Sequence, residues 1–525
     1  MATILFVQCN RLVSGVQYPG ISSLVAFAKK AGHEFILFDT ANYTSDQNLE
    51  SYRIYKEYKS SIDLEFKRIK NTDLRYSKKP LTTLLPDLED QILTQKIDVV
   101  GFSSFSDDWP FALFLIRKVR TMLPDVPIVV GGVHATVAPE QVIRHREVDI
   151  VCIGEGEYAL VELLDSIDKG RLKLDIKNLW IKNENEIIRN PLRPLLQFND
   201  EVPILDWTLY NDNNFYYPYE GKIYRRGSVF VGRNCPYSCS FCINNYLKSI
   251  YPIKESGHSR TKSISYLIRE IAYLKEQYNL EMLRFWDETF LAVPFNYLKE
   301  FAEAYKKEIG LPFTIETTAQ TIKHENAKIL AEMGCKSVSI GVETSNEKLR
   351  AGILNKPIRN EAYNRCFEIL SEYGLRKVAN FMFFLPEQSV DDMWNDVNSC
   401  KEWGIDHPSA RIFYPYAGTS LREYCIEKNM VDTDMLREIE NEESVRDITD
   451  LKSNYATFQD TVLKVTPETK KEGMMILDNF ILFQESELSM RDHLKQLVIK
   501  NDDFSKELLR EIESKIYEKR FGKEA

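Results

Sequence analysis

The sequence predicts an α/β protein with two parallel-sheet domains followed by a helical region. Short apolar runs alternate with helical patterns from the first residues to about position 165, and a second alternating series begins near position 228. No strand pattern remains after position 428. Such alternation is typical of βαβ units, whose strands form a parallel sheet. The order of the two series predicts two domains before the helical region.

The first series predicts a doubly wound domain over residues 1–168. Its apolar runs mostly lead into Gly, Ser or Asn, as buried strands before tight turns do. The predicted strands are 3–9, 34–39, 98–103, 127–130 and 149–153. A Lys-, Glu- and Tyr-rich insertion near 42–95 predicts surface helices. Over residues 169–226 the alternating pattern weakens into Asn-, Pro- and Tyr-rich segments, which predicts a linker that contains a hairpin.

The second series predicts a partial (β/α)6 barrel over residues 227–428. The predicted strands are 228–232, 281–286, 312–317, 336–341, 377–382 and 410–414. One helix between them is marked by an apolar stripe at i, i+3, i+4 and i+7 spacing. The stripe consists of Ile264, Leu267, Ile268, Ile271 and Leu274. Residues 429–525 predict a helical C-terminal domain, in which Thr466-Pro467 is typical of a helix start.

The composition restricts the class of partner. The 525 residues include 68 Lys and Arg against 78 Asp and Glu, a net charge of −10, so there is no basic excess for nucleic acid. The uncharged apolar stretches are too short to span a bilayer, and the N-terminus lacks the cationic region of a signal peptide. Nine cysteines are too few for a disulfide scaffold. We therefore expect a cytoplasmic protein without a nucleic-acid partner or a membrane span.

Three cysteines lie close together directly after a predicted strand. Cys235, Cys239 and Cys242 form a Cys-x3-Cys-x2-Cys run with no fourth cysteine nearby. A 4Fe-4S cluster held by three thiolates leaves one iron open to bind a substrate or cofactor. A structural zinc site has four protein ligands, so the zinc alternative needs a fourth ligand such as His258. The spacing favours an iron–sulfur cluster.

This run, with the aromatic Phe241 before its last cysteine, resembles the cluster loop of the radical S-adenosylmethionine (radical SAM) enzymes. In that family the open iron binds SAM, and an electron from the cluster cleaves SAM to methionine and a 5′-deoxyadenosyl radical. The resemblance implies a 4Fe-4S cluster on the three cysteines and a SAM site that includes Phe241. It also implies an electron donor such as flavodoxin or ferredoxin.

Two further segments of the predicted barrel resemble SAM-binding motifs of this family. Residues 339–345 are similar to the fourth-strand motif, and the resemblance implies that Glu343 binds SAM. Residues 414–419 are similar to the last-strand segment, and the resemblance implies that Tyr414 and Tyr416 border SAM.

A third segment, 285–290, resembles the second-strand motif of the family. An alternative interpretation of its carboxylates Asp287 and Glu288, and of Glu343, is that they cap the helices that follow them. The sequence also departs from the family pattern. Phe384-Leu385-Pro386 occupies the place after the fifth strand where relatives have Gly-Leu-Pro and where their backbone approaches SAM.

Three loops of the first domain resemble those of the cobalamin-binding domain found in cobalamin-dependent radical SAM enzymes. They are 99–104, 129–136 and 151–157, and each follows a predicted strand at the sheet edge where open α/β sheets bind ligands. The residues that the resemblance assigns to cobalamin are Ser103, Ser104, Gly131, Gly132, His134, Gly154, Glu155 and Gly156. For His134 the alternative is a helix-capping or surface histidine.

These resemblances predict a cobalamin-dependent radical SAM enzyme with a 4Fe-4S cluster, SAM and cobalamin as cofactors. They imply methylation of an unactivated carbon of a small molecule or natural product, with methylcobalamin as the methyl donor after hydrogen abstraction by the 5′-deoxyadenosyl radical. One alternative is a non-methylating rearrangement, ring contraction or cyclisation. Another, from a different class, is a corrinoid carrier or sensor without catalysis, which would not need the three cysteines.

Overall fold

The computed structural model describes residues 1–9, 16–44, 79–184, 186–220, 222–233, 235–251, 260–441, 460–500, 502, 504–509, 511, 512 and 515. These residues form two seven-stranded sheets and a set of C-terminal helices. The strands of the first sheet are β1 (Thr3–Gln8), β2 (Glu34–Asp39), β3 (Val99–Ser103), β4 (Ile128–Gly131), β5 (Ile150–Cys152), β6 (Leu179–Asn183) and β7 (Glu186–Arg189). The strands of the second are β8 (Tyr216–Tyr219), β9 (Lys222–Val229), β10 (Met282–Phe285), β11 (Phe313–Thr317), β12 (Cys335–Glu343), β13 (Arg376–Phe383) and β14 (His407–Ile412).

The first sheet has the order β2-β1-β3-β4-β5-β6-β7. Strands β1 to β5 are parallel, which confirms the predicted doubly wound domain and places the reversal of strand order between β1 and β3. Strands β6 and β7 form the hairpin that the sequence predicts, but β6 also pairs antiparallel with β5, so the hairpin extends this sheet. The predicted linker therefore begins after Arg189 rather than at residue 169.

Helices cover the faces of the first sheet and bury its apolar strands. They are α1 (Pro19–Lys30), α2 (Leu84–Thr94), α3 (Trp109–Met122), α4 (Gly132–Val137), α5 (Pro139–Arg144) and α6 (Glu157–Asp168). Helix α2 confirms a helix at the end of the predicted insertion, and residues 45–78 of that insertion lie outside the described residues.

The second sheet has the order β8-β9-β10-β11-β12-β13-β14, and β9 to β14 are parallel. These six strands confirm the predicted partial barrel. The predicted bounds of the first strand are wrong, because β9 begins at Lys222 and ends at Val229. Its first four residues mix polar and apolar side chains, are exposed or half-exposed, and pair with the edge strand β8, so no apolar run marks where it starts. The last strand likewise begins earlier than predicted, at His407.

Helices alternate with the barrel strands and continue beyond them. They are α7 (Ile243–Ile250), α8 (Ile264–Tyr278), α9 (Phe295–Glu308), α10 (His324–Met333), α11 (Glu347–Gly352), α12 (Asn360–Glu372), α13 (Val390–Glu402), α14 (Ser420–Glu427), α15 (Thr433–Asn441), α16 (Pro467–Asp478), α17 (Phe480–Glu485) and α18 (Arg491–Lys500). The predicted stripe on α8 is buried apart from its half-buried first residue, and Thr466 caps α16 as predicted. Within the described part of the chain, no helix combines the length and apolarity needed to cross a membrane.

A buried ion pair supports the end of the first barrel strand. Lys262 Nζ lies 2.5 Å from Glu270 Oε2, and both side chains are almost completely buried. The backbone N–H of Lys262 donates to the carbonyl of Val231 at 2.9 Å, and Nζ lies 3.6 Å from the centre of the Phe230 ring. This pair therefore holds the chain segment that leads from β9 towards the cysteines.

We predict that breaking this pair from one side destabilises the barrel. Lys262→Met or Glu270→Leu alone leaves one buried charge without its partner, which costs about 3 kcal/mol. The double variant removes both charges and should lose much less than the sum of the single variants. Thermal unfolding of the two single variants and the double variant measures this coupling, and additive losses would contradict it.

Candidate functional site

A cavity of about 580 Å³ lies between the C-terminal edges of the two sheets. Ser103, Gly131 and Gly154 line it from loops of the first sheet, and Cys235 and Glu288 line it from the barrel. Both sheets are parallel at these strands, so both present their ligand-binding edge to the same space. The cysteine loop and the glycine loops that the sequence singles out therefore meet in one cavity.

Two glycines on the first-sheet side have no room for a side chain. Gly132 has φ +91°, and an added Cβ would lie 2.8 Å from Ser103 Oγ and 2.9 Å from the Ser104 nitrogen. Gly154 has φ +74°, and an added Cβ would lie 1.8 Å from the hydroxyl oxygen of Tyr251 on the barrel side. The left-handed backbone and the close approach both require glycine at these positions. The two loops thus bring main chain, rather than side chains, to the cavity wall.

The predicted cobalamin contacts divide into two groups. Ser103, Gly131, Gly132, Gly154, Glu155 and Gly156 line the cavity. Ser104 and His134 are buried behind it. His134 Nδ1 lies 3.2 Å from Ser106 Oγ, and the ring stacks on Trp109 with centroids 4.8 Å apart. Burial lowers the pKa of His134 to about 3, so its ring is neutral. The capping or surface alternative for this histidine is therefore wrong, and its contact with a cofactor stays a prediction.

The cysteine loop is held by hydrogen bonds from distant parts of the barrel. The backbone N–H of Ser240 donates to the carbonyl of Leu354 at 3.0 Å, and the N–H of Leu421 donates to the carbonyl of Ser240 at 3.0 Å. Within the loop, the N–H of Cys242 donates to the carbonyl of Cys239 at 3.1 Å. These bonds fix the loop between the segment after α11 and the start of α14.

The three cysteines are free and half-buried. Burial raises the pKa of Cys239 to about 11 and raises the pKa of Cys242, so each thiol must lose a proton before it can bind metal as a thiolate. Among the described residues, no three or more Cys, His, Asp or Glu side chains are spaced to hold a single metal ion. A zinc ion requires such convergence, whereas the thiolates of a cluster bind different irons. His258, the fourth ligand of the zinc alternative, lies outside the described residues.

Asp287 shapes the backbone just before the cysteine loop. Its carboxylate accepts hydrogen bonds from the N–H groups of Val231 at 2.9 Å and Gly232 at 2.8 Å. Burial raises the pKa of Asp287 to about 7. The capping interpretation is wrong for this residue, because the next helix, α9, begins only at Phe295.

Glu343 ends β12 in a left-handed conformation, with φ +69°. Its Oε1 accepts a hydrogen bond from Lys356 Nζ at 2.8 Å, and Nζ also donates to the carbonyl of Gly341 at 2.6 Å. Burial opposes the charged form of Lys356, but the Glu343 carboxylate outweighs it and raises the pKa of the lysine. The capping interpretation is wrong here too, because Asn346 caps α11.

The other predicted SAM residues, like Glu343, do not line the cavity. Tyr416 donates through its hydroxyl to Asp107 Oδ2 at 2.8 Å and so connects the barrel to the first domain. Tyr414 lies 5.1 Å from it, ring to ring, and Phe241 is half-buried against the barrel core. Phe384 adopts φ +59°, so it keeps the backbone conformation that favours the glycine of relatives. SAM contacts of the two tyrosines and Phe241 stay predictions.

Two arginines of the barrel bind two glutamates of the first domain. Arg233 Nη1 donates to Glu155 Oε1 at 2.9 Å, and Arg233 Nη2 donates to Glu157 Oε1 at 2.6 Å. Arg260 donates to both oxygens of Glu155, at 2.7 and 3.1 Å. We call these four residues the interdomain clamp. Although burial opposes ionisation, the arginines hold the pKa of Glu155 below its ordinary value.

The clamp changes the role expected of Glu155. The sequence resemblance assigns this carboxylate to cobalamin. In the structure it accepts hydrogen bonds from Arg233 and Arg260, and from the backbone N–H of Leu196 at 2.7 Å. Sequence reasoning missed both arginines and Tyr251, whose hydroxyl accepts from the N–H of Glu155 at 3.2 Å. Arg233 lies two positions before Cys235, but no local pattern indicates a partner in another domain.

Comparison with known proteins gives two family matches. Residues 229–400 match the model of the radical SAM superfamily, and residues 64–164 match the B12-binding domain. An uncharacterized methyltransferase of Pyrococcus horikoshii is 26% identical over 64% of this chain and 71% of its own length. An anaerobic magnesium-protoporphyrin IX monomethyl ester cyclase of Rubrivivax gelatinosus is 22% identical over 64% of this chain and 59% of its own length.

Solved structures show the same fold. The radical SAM methyltransferase TsrM from Kitasatospora setae, with cobalamin and a [4Fe-4S] cluster bound, has a TM-score of 0.60 at 16% identity. The match covers 82% of this chain and 78% of TsrM. The cobalamin-dependent radical enzyme OxsB, with aqua-cobalamin and SAM bound, has a TM-score of 0.63 at 14% identity. That match covers 99% of this chain and 72% of OxsB.

We predict that Arg233→Gln loosens the contact between the two domains. The substitution leaves Glu157 buried without its arginine and weakens the hold on Glu155, a loss of about 3 kcal/mol. The thermal unfolding midpoint should fall, and the radius of gyration measured by X-ray scattering should rise.

Arg189→Gln is the matched control. Arg189 pairs with Glu140 at 2.9 Å, but both side chains are about half exposed, so its loss should cost less than about 1 kcal/mol. Equal effects of the two substitutions would show that the clamp does not hold the domains together.

Proposed function

The chain belongs to the radical SAM superfamily, with a B12-binding domain before the barrel, and we propose that it is a cobalamin-dependent methyltransferase acting on an unactivated carbon of a small molecule. One observation carries this proposal. A single cavity is lined by Cys235 of the cluster loop and by the glycine loops of the first domain. Methyl transfer to a radical requires both cofactors to face one substrate, and this cavity provides the common space.

The residues present fit the three cofactors. Cys235, Cys239 and Cys242 would hold the cluster, and Glu343 would bind SAM. The loops at Ser103, Gly131, Gly132 and Gly154 to Gly156 would hold cobalamin against exposed main chain. When bound, these groups supply an electron, a 5′-deoxyadenosyl radical that removes a hydrogen atom, and a methyl group carried on cobalt.

The chain's own residues would position these groups. Asp287 holds the backbone before the cysteine loop through two N–H groups. Lys356 holds the carboxylate of Glu343 through Oε1, which fixes the side chain proposed to bind SAM. The clamp keeps the glycine loops beside the cluster loop, and Trp286 and Phe230 contribute apolar surface to the cavity wall.

A second candidate is a non-methylating radical reaction. The similarity to the Rubrivivax gelatinosus cyclase favours it, since that relative matches about as much of this chain as the methyltransferase does. A corrinoid carrier without catalysis is disfavoured, because it would not need the three cysteines. We also propose that flavodoxin or ferredoxin supplies the electron and that the protein works in the cytoplasm, where thiols stay reduced.

The proposal is tested by anaerobic reconstitution with iron, sulfide, cobalamin and SAM that carries a deuterated methyl group. The reconstituted protein is then incubated with an extract of the source organism. We expect 5′-deoxyadenosine, S-adenosylhomocysteine and a product that contains the labelled methyl group. Production of 5′-deoxyadenosine with an unlabelled product would favour the second candidate. A protein that binds cobalamin but never cleaves SAM would overturn both.

We predict that Cys239→Ala removes the cluster. The remaining two thiolates cannot hold it, so iron after reconstitution should fall from about four per chain to near zero and SAM cleavage should stop. Cys366→Ala is the control, because Cys366 is a buried core residue away from the site and should keep both iron and cleavage. Continued SAM cleavage by the Cys239 variant would contradict the cluster assignment.

We predict that Gly132→Leu weakens cobalamin binding by at least tenfold. A leucine there would overlap Ser103 and Ser104 and push the loop into the cavity. Gly32→Leu is the control, because Gly32 has a similar φ of +85° but no atom within 4 Å of an added Cβ. Corrin absorbance that stays with the protein through gel filtration measures binding. Equal retention by the Gly132 variant would show that cobalamin does not lie against this loop.

A further inference from the structure

A buried threonine lies against the first cysteine of the cysteine loop. Thr289 Oγ1 lies 3.3 Å from Cys235 Sγ, a hydrogen-bond contact between oxygen and sulfur. Thr289 follows β10 and is only 8% exposed, while Cys235 is half-buried and lines the cavity between the domains. A hydroxyl this buried meets little water, and hydrogen bonds are stronger in such surroundings than in solvent. The contact can therefore influence what the sulfur binds.

The backbone on both sides of Thr289 is tied to neighbouring barrel strands. Two positions before it, the Asp287 carboxylate accepts from two N–H groups that precede the cysteine loop. Directly after it, the N–H of Phe290 donates to the carbonyl of Glu316 at 2.9 Å. These contacts fix the threonine relative to the cysteine loop, so its hydroxyl is already beside the sulfur before a cluster binds.

The hydroxyl of Thr289 has one proton and two acceptors within reach. Its Oγ1 also lies 2.8 Å from the carbonyl oxygen of Glu288. While Cys235 is a thiol, its S–H can donate to Oγ1, and the hydroxyl can donate to the carbonyl. A thiolate that binds iron has no proton, so only the hydroxyl can supply the proton of the contact with sulfur. Because a charged acceptor forms the stronger hydrogen bond, the hydroxyl then turns from the carbonyl to the sulfur.

We propose that Thr289 donates a hydrogen bond to the Cys235 thiolate and thereby raises the reduction potential of the cluster. Reduction adds one negative charge to the cluster, and a hydrogen bond to a ligand sulfur stabilises that charge. One electron enters from the low-potential donor, and the hydroxyl proton stays on Oγ1. Thr289 acts through Cys235 and is a positioning residue. The inference rests on the proposed function, because it requires Cys235 to hold an iron of the cluster.

The test is a redox titration of the full chain reconstituted with iron and sulfide. Cobalamin is left out, because the electron paramagnetic resonance signal of cob(II)alamin overlaps that of the reduced cluster. Titanium(III) citrate supplies the electrons, and the resonance signal of the cluster measures the reduced fraction at each potential. Iron and sulfide per chain are measured for every variant before the titration.

Thr289→Val removes the hydroxyl and keeps the shape of the side chain. At a fixed potential we expect the ratio of reduced to oxidised cluster to fall about tenfold, which for one electron is a shift of about 59 mV to lower potential. Thr289→Ser keeps a hydroxyl at this position, so its ratio should stay close to that of the unmodified protein.

Thr3→Val is the control. Thr3 is 6% exposed, and its hydroxyl donates to Glu34 Oε2 at 3.3 Å. It begins β1 and therefore lies at the sheet edge away from the cavity, so its loss should leave the potential unchanged. An unchanged potential in Thr289→Val with full iron content overturns the inference, and so does an equal shift in Thr289→Val and Thr289→Ser.

If Thr289→Val binds no iron, Thr289→Ala is titrated in its place and the same shift is expected. Loss of iron from both variants would show that the threonine serves to assemble the cluster, which overturns the inference. An unmodified chain that assembles no cluster would overturn the proposed function together with this inference. The titration needs no substrate, so a shifted potential in a protein that never methylates counts against the proposed function alone.

Discussion

The carboxylate of Glu155 is the contact on which the rest of the site depends. It receives hydrogen bonds from Arg233 and Arg260 of the barrel, while Glu157 beside it receives a second bond from Arg233. Ion pairs this enclosed are stable only when every charge has its partner, because a single buried charge costs several kcal/mol. The two sheets are therefore held in one relative position, and the position places the cluster loop opposite the glycine loops.

The direction of the strands explains why this contact can build a cofactor site. In each domain the functional loops follow the C-terminal ends of parallel strands, so each sheet has only one edge that carries them. The clamp joins those two edges, and Tyr416 makes a further contact there through Asp107. Tyr251 of the barrel approaches Gly154, the residue before Glu155, and so adds a further contact between the domains beside the clamp. If the first domain separated from the barrel, as a mobile corrinoid carrier domain would, all of these contacts would have to break.

Much of the fold and part of the site were predictable because their signals are local. The five parallel strands of the first sheet, the six of the barrel, the three cysteines and the left-handed glycines are all visible in short stretches of sequence. The clamp was not predictable, because Arg233 and Glu155 are 78 positions apart and belong to different domains. The same holds for Lys356, whose role depends on the fold of the chain around Glu343, and for Asp287, whose partners precede the cysteine loop.

One of the C-terminal helices, α16, helps to hold a strained backbone segment at the barrel mouth. Glu343 and Phe384 both have left-handed backbones, at +69° and +59°, directly at the ends of the neighbouring strands β12 and β13. Such a conformation costs a non-glycine residue about 1–3 kcal/mol, so the surroundings must hold it. Lys356 does so for Glu343.

For Phe384 the support comes from α16. The ring of Phe384 is buried, and an added Cβ on Gly473 would lie 2.6 Å from its Cζ atom. Gly473 therefore allows the helix to lie directly on the ring. A side chain at that position would push α16 away and release the strained turn after β13. The helical region is thus part of what shapes the barrel mouth, although it contains none of the cofactor motifs.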